Sequence, residues 1–230
     1  MINFIENSLY FGLVLTFLSY SFGTYLKKKT RCSFFNPILI SVVCCILVLF
    51  VFKIDYKIYY SSAKYLSYLL TPATICLAIP LYEQFSLLKQ NFAAIITGII
   101  SGVATSLCTI FVMCYLLSMS HKDYVSLLPK SITTAIGMGV SEELGGYVSI
   151  TVAVIIITGI LGNVIGEFVL RLFKIREPIA KGIAMGTSSH AIGTAKAIEF
   201  GEIEGAMSSL SIVISGLITV AGASLFSKIL

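Results

Sequence analysis

GIAMGTSSHAIGTAKA, residues Gly182–Ala197, is a run of small residues, hydroxyls and one histidine set inside an otherwise apolar chain. Three glycines (Gly182, Gly186, Gly193) and the hydroxyls of Thr187, Ser188, Ser189 and Thr194 crowd around His190. Lipid offers such groups no hydrogen bonds, so they must face protein, an aqueous cavity or a ligand. Glycine also lets a backbone bend or approach a ligand closely, which predicts a broken helix over 179–199 of the kind that forms transporter binding sites. The plainer reading is tight helix packing, with His190 serving only as a hydrogen-bond partner between helices.

The surroundings fix the class. The 230 residues are 57% hydrophobic and only 12% charged, with a mean hydropathy of +0.96, which leaves an all-α polytopic membrane protein as the class that fits. At about 20 residues per crossing, the chain has room for roughly seven or eight membrane segments in one integral membrane domain, residues 1–230. The net charge of +5 lies in loops and reads as an orientation signal. No basic helix or aromatic platform accompanies it, so no nucleic-acid partner is expected. Of the six cysteines, five lie in apolar runs, Cys32 sits in a basic loop, and none has paired metal spacing. His121 and His190 are far apart, so neither a metal nor a cofactor is expected.

The opening segment lacks a basic n-region and cleavage site, so 4–26 is predicted to remain as the first membrane helix. It ends in Lys27, Lys28, Lys29 and Arg31, a cluster that favours the cytoplasm and places the N-terminus outside. Asn36 and Pro37 open a second apolar run. The stretch 53–64 reads as a mixed-charge loop whose tyrosines anchor at the membrane interface. Pro72 and Pro80 break a third segment. Segment 92–119 carries Gly98, Ser101, Gly102 and Ser106 at helical spacing, a packing face for another helix. Segment 147–170 gathers Gly159, Gly162, Asn163, Gly166 and Glu167 on one side. It leads to a second basic loop around Arg171, Lys174, Arg176 and Lys181, and the last membrane helix is expected over 205–227.

If both basic loops are cytoplasmic, an even number of crossings must separate them, yet the candidate segments between them are odd in number. One must turn back, and LLPKSITTAI within 127–146 is the segment predicted to be re-entrant, since irregular backbone survives in a membrane only around a protein-enclosed cavity. LLTPATICLAIP (Leu69–Pro80) also echoes LLPKSITTAIGM (Leu127–Met138). Broken segments in corresponding positions are the signature of an inverted-repeat transporter, although a match this short also arises by chance.

Lys130 stands between Pro129 and the hydroxyls of Ser131, Thr133 and Thr134. Burying its charge costs on the order of 3 kcal/mol unless an anion or water compensates, and an anionic substrate would do so. Snorkelling to the interface is the alternative. His190 titrates near neutral pH when unperturbed, so it could bind a carboxylate or pass a coupled proton. Lys196 is either a second anion contact or an interfacial partner of Glu199. Glu142, Glu143, Glu202 and Glu204 read as solvated loop acids. An enzyme is not expected: Ser188, Ser189 and His190 are sequence neighbours without a nucleophile elbow, and there is no phosphate-binding loop.

The motifs NP (Asn36, Pro37), PAT (Pro72–Thr74), PLY (Pro80–Tyr82), PKSIT (Pro129–Thr133), ITGILG (Ile157–Gly162), SHAIGTA (Ser189–Ala195) and GEIEGAMSSL (Gly201–Leu210) together resemble the LrgB/CidB family of bacterial membrane proteins. That family includes a domain of the plastidial glycolate/glycerate translocator. Its members usually read PKSVTTPIA and AHGIGTA, whereas this chain has Ala135 and Ala191 at the departing positions. The resemblance implies one of two roles at the bacterial cell membrane. One is antiholin-like control of murein hydrolase activity, with a small LrgA/CidA-like membrane partner. The other is carriage of small carboxylates such as pyruvate, glycolate or glycerate.

The sequence thus predicts a carboxylate site where two discontinuous segments meet. Lys130 and His190 would hold the carboxylate, and Ser131, Thr133, Ser189 and Thr194 would bond its oxygens. Pro129, Gly186 and Gly193 would supply hinges and close approach, and His190 the proton coupling. A homo-oligomer is compatible with this reading.

Overall fold

The computed structural model describes residues 8, 10–30, 37–69, 72, 75, 76 and 78–230. Among these residues every regular element is a helix. The chain divides into two compact units, residues 1–76 and 77–230. Much of the Leu69–Pro80 echo, with Arg31, Cys32 and Asn36, lies outside the described residues.

The first unit holds α1 (Phe11–Thr30), α2 (Pro37–Val51) and α3 (Tyr56–Ser67). Lys27, Lys28 and Lys29 belong to the last turn of α1, where cations complement the helix dipole. Gly12 lets α3 close on α1: its N–H donates to Ser62 Oγ at 2.7 Å, and Thr16 Oγ1 meets Tyr59 OH at 2.9 Å. The expected loop at 53–64 is helical from Tyr56 onward. Asp55 caps that helix by accepting from the Lys57 N–H at 2.8 Å, a local signal that outweighs the mixed charge of the segment.

The second unit begins with two short helices, α4 (Ala78–Glu83) and α5 (Phe85–Gln90). Its frame is three helices, α6 (Phe92–Leu116), α9 (Val148–Leu172) and α11 (Glu202–Phe226). Among the described residues these three are long and apolar enough to cross a membrane. On α6, Ile95, Ile99, Val103, Leu107, Ile110 and Cys114 repeat at helical spacing and are buried with Met207 and Leu210 of α11.

Two helical hairpins fill the space between these spans. The first is α7 (His121–Leu127), a non-helical tip at 128–133, and α8 (Thr134–Glu143). Its two arms return to one point: Thr151 Oγ1 of α9 lies 2.8 Å from Ser126 O and 2.7 Å from Ser141 Oγ, and the Tyr147 N–H donates to Ser126 Oγ at 2.6 Å. Gly145, at φ +75°, makes the turn from α8 into α9, a conformation that glycine adopts without strain.

The second hairpin lies within α10 (Pro178–Phe200), which breaks at Ser189 (φ −136°, ψ 17°) and His190 (φ 42°, ψ −140°). The break reverses the chain. Gly193 lies against Met185 O and Ser189 Cβ, positions that a straight helix would hold about 12 Å and 6 Å away along its axis. Its second arm runs antiparallel to α11, with Thr194 against Ser208 and Ile198 against Gly205. Its first arm runs parallel to α11, with Gly182 against Glu204 and Gly186 against Ser208. Each arm of about ten residues spans about 15 Å, half of a hydrocarbon core of about 30 Å.

The hairpins enter from opposite ends of the bundle. Tyr124, in the first, donates its hydroxyl to Phe226 O at the end of α11. Lys181, at the base of the second, pairs with Glu204 at the start of α11, 3.6 Å away. Glu204 is therefore not the solvated loop acid expected from the sequence. The close approach of α10 to α11 at Gly182 carries its carboxylate into the helix interface, where Lys181 neutralises it.

Candidate functional site

The tip of the first hairpin and the first arm of the second come to the same cavity. It has a volume of about 700 Å³ and runs along α6 from Asn91 to Thr109. One wall is the α6 stripe Gly98, Gly102, Thr105, Ser106 and Thr109, one residue out of phase with the core stripe and therefore turned about 100° from it. The tip of the first hairpin contributes Lys130 and Ser131. The first arm of α10 contributes Ile183, Thr187 and Ser188, with Glu177 at its base.

Lys130 is held by its own tip. Pro129 and Ile132 are buried, and turn hydrogen bonds from Lys130 N to Leu127 O (3.0 Å) and from Ile132 N to Pro129 O (3.3 Å) fix the backbone. Lys130 Nζ donates to Ser131 Oγ at 3.0 Å, and that oxygen lies 3.1 Å from Ser106 Oγ on α6. Among the described residues the ion pairs join other groups, and the Lys130 ammonium is met by the Ser131 hydroxyl. A cation in a half-buried cavity with converging hydroxyls can hold an anion, because the anion replaces the solvation that burial removes.

The tip of the α10 hairpin is arranged differently. His190 Nε2 donates to Ile155 O of α9 at 3.0 Å, and Asn163 Nδ2 donates to Ile192 O at 2.8 Å. Gly159 and Gly162 of α9 make room: a Cβ at Gly159 would lie 2.7 Å from the His190 ring, and one at Gly162 would overlap Ser189 Oγ. Thr194 Oγ1 lies 2.7 Å from Ser208 Oγ of α11 and donates to His190 O at 3.0 Å. Ser189, His190 and Thr194 are all buried in these contacts. His190 holds a backbone conformation that costs a non-glycine residue about 1–3 kcal/mol, maintained by the bonds around it.

The six residues expected to bind substrate therefore fall into separate groups. Lys130 and Ser131 line the cavity. Thr133, partly buried, occupies the N-cap position of α8 without a side-chain capping bond and is not part of the cavity lining. Ser189, His190 and Thr194 lie beyond the cavity wall, against α9 and α11. Gly186 allows α10 to meet the backbone of α11 at Ser208, Gly193 allows the two arms to meet, and Pro129 is buried in the first tip. Lys196 pairs with Glu199 at 2.9 Å and Glu167 at 3.4 Å, which answers its two readings in favour of the carboxylates.

Sequence reasoning missed Thr105, Ser106 and Thr109, because it treated this face of α6 as packing. The face does pack, with Gly98 against Ile183 and Gly102 against Thr187, and it lines the cavity as well. The hydroxyls that follow at i+3, i+4 and i+7 from Gly102 were the available signal.

No solved structure matches the chain. It is 36% identical over 218 residues to the antiholin-like protein LrgB of Bacillus cereus (strain B4264), covering 94% of this chain and 95% of that one. The same identity and coverage hold for the antiholin-like protein LrgB of Bacillus anthracis (strain CDC 684 / NRRL 3495). The LrgB-like family profile matches residues 16–229, and with both hairpins inside that match, the chain is a membrane protein that belongs to the LrgB-like family.

Proposed function

We propose that the chain is a carrier, or carrier subunit, for small carboxylates such as pyruvate or glycolate. The observation that carries this reading is the meeting of two half-length hairpins, from opposite ends of the bundle, at a cavity lined by a lysine that has no carboxylate partner among the described residues. Half-length segments that meet at mid-depth provide polar backbone and side chains where a full helix would hide them. Lys130 and Ser131 would hold the carboxylate, with Ser106, Thr105 and Thr109 within the same wall. His190 would pass a coupled proton or set the hinge of the α10 hairpin.

The setting follows the same reading. The protein would lie in the bacterial cell (inner) membrane as a multi-pass chain with its N-terminus outside. It would work with a small LrgA/CidA-like membrane protein, as a homo-oligomer or alone. It would not be an enzyme and would need no metal or cofactor.

The names of the curated relatives support a second reading, an antiholin-like regulator of murein hydrolase activity or a pore component without specific transport. Uptake of radiolabelled pyruvate and glycolate into proteoliposomes separates the two. Saturable uptake is expected, and Lys130→Ala should weaken it at least about 30-fold, since stranding a buried charge partner costs about 2–5 kcal/mol. Release of an unrelated trapped dye, with no saturable uptake, would favour the regulator.

A further inference from the structure

The cavity is far larger than pyruvate or glycolate. Its volume of about 700 Å³ lies in the range of roughly 300–1,000 Å³ that encloses drug-sized ligands, so an acid of two or three carbons leaves most of it empty. What lines the remaining space is carbon: Ala94 and Gly98 of α6 share it with Ile179, Ala180, Ile183 and Ala184 of the first arm of α10. The neighbouring hydroxyls are committed elsewhere. Thr105, Thr109 and Ser188 each donate to the carbonyl four residues earlier at 2.7 Å, and the Thr187 hydroxyl is buried, with its methyl group lying toward Gly102.

Of the lining residues, Lys130 and Glu177 carry charge, and they stand at opposite ends. α6 and the first arm of α10 run in the same direction, Gly98 meeting Ile183 and Gly102 meeting Thr187. Ser131, next to Lys130, meets Ser106. Eight residues of α6 separate Ser106 from Gly98, about 12 Å along the axis, and Glu177 lies six residues before Ile183, about 9 Å further on. The cavity is thus a groove of about 20 Å with a cation at one end, apolar walls between and a carboxylate at the other. Lys130 complements one anionic group, and Glu177 repels a second.

We infer that this groove takes a monocarboxylate with an aliphatic tail, its carboxylate on Lys130 and its tail laid along the Ile183 wall toward Glu177. The assignment rests on the carrier reading and narrows its substrate class. An extended carbon chain advances about 1.3 Å per atom and the hydrogen bond to the carboxylate adds about 2.8 Å, so about eight carbons reach from the lysine end to the level of Ile183. Each methylene that leaves water for such a wall tightens binding about four-fold, the equivalent of about 0.8 kcal/mol.

The test uses the purified protein in lipid nanodiscs and radiolabelled octanoate, with binding counted over empty nanodiscs. Competition by acetate, butyrate, hexanoate, octanoate and decanoate should strengthen about four-fold per methylene up to octanoate and then level. Octan-1-ol, which lacks the charge, and suberate, which carries a second one, should each compete at least about ten-fold less well than octanoate. Lys130→Ala should bring octanoate to the level of octanol, and Ile183→Ser should flatten the series beyond butyrate. In wild type, no octanoate binding, a flat series, or a series of alcohols that matches the acids overturns the assignment; the last would mean that the groove takes only acyl chains of the bilayer. Pyruvate uptake into proteoliposomes keeps the carrier reading separate. A length-dependent series without uptake supports the groove and overturns the carrier reading, whereas saturable uptake with a flat series overturns the groove and leaves the carrier reading standing.

Discussion

The two hairpins solve one problem in opposite ways. Both bring irregular backbone into a helical bundle, yet the tip at 128–133 points a charge at a cavity, whereas the tip at Ser189–His190 is tied on both sides by other helices. The first is fixed at its base by the Ser126, Ser141 and Thr151 cluster, which leaves its end available for a ligand. The second is fixed at its end, where His190, Ile192 and Thr194 meet α9 and α11. Of the residues near that end, Thr187 and Ser188 in the preceding turn line the cavity. A small-residue, hydroxyl-rich sequence is thus no guide by itself to which hairpin holds a ligand. What separates the two is where the tip lies: residues 130 and 131 line the cavity, whereas Ser189 and His190 lie against α9 and α11.

The contrast breaks most sharply at Gly162. A side chain there would drive Ser189 away from α9, and because Ser189 sits on a two-residue reversal it has no slack to move. Gly162→Val should lower stability by about 3 kcal/mol, the upper range for overpacking, seen as a large fall in the Tm of the detergent-purified protein. A Tm close to wild type would mean that the α10 tip is not fixed by α9, and the distinction between the hairpins would fail.

Asn163→Ala probes the same tip more gently. It removes the donor to Ile192 O and leaves that carbonyl buried beside the break, a loss of about 1–2 kcal/mol. Thermal unfolding should register it, while the preference of the cavity among acids should hold, because Asn163 lies outside the cavity lining. A change in selectivity with no change in stability would place the second tip in the ligand path after all.

Much of this arrangement is legible in the sequence, and its limits have physical causes. The three long spans follow from apolar runs, and the break in α10 follows from a cluster of glycines and hydroxyls around one histidine. The irregular tip at 128–133 follows from a proline and a lysine that a membrane helix would not carry. What cannot be read is direction. Glycine and hydroxyl content marks a break, but only the contact of Gly193 with Met185 shows that the chain reverses there and does not merely kink. Nor can the sequence pair residues across helices. Ser131 with Ser106, Thr187 with Gly102 and Glu204 with Lys181 are products of packing, and helix periodicity states only which face each residue occupies. The Tyr56–Ser67 helix was missed because its charges suggested a loop, although Asp55 was in place as a cap.

The smallest effect belongs to Lys196, and it bears on the comparison most directly. Like Lys130 it is a lysine close to a hairpin with hydroxyls nearby in sequence. Unlike Lys130 it has carboxylate partners, Glu199 at 2.9 Å and Glu167 at 3.4 Å, and Glu167 also accepts from Arg171 at 2.6 Å. Both of these acids are partly open to solvent, so screening limits what the pairing contributes. Lys196→Ala should therefore cost about 0.5 kcal/mol of stability or less and leave uptake and acid preference at wild-type levels. The same substitution at Lys130 should leave Tm nearly unchanged and remove uptake. If Lys196→Ala instead abolished uptake, the second arm of α10 would have to approach the ligand in another conformation. Its satisfied ion pairs would then describe only one state of a moving hairpin.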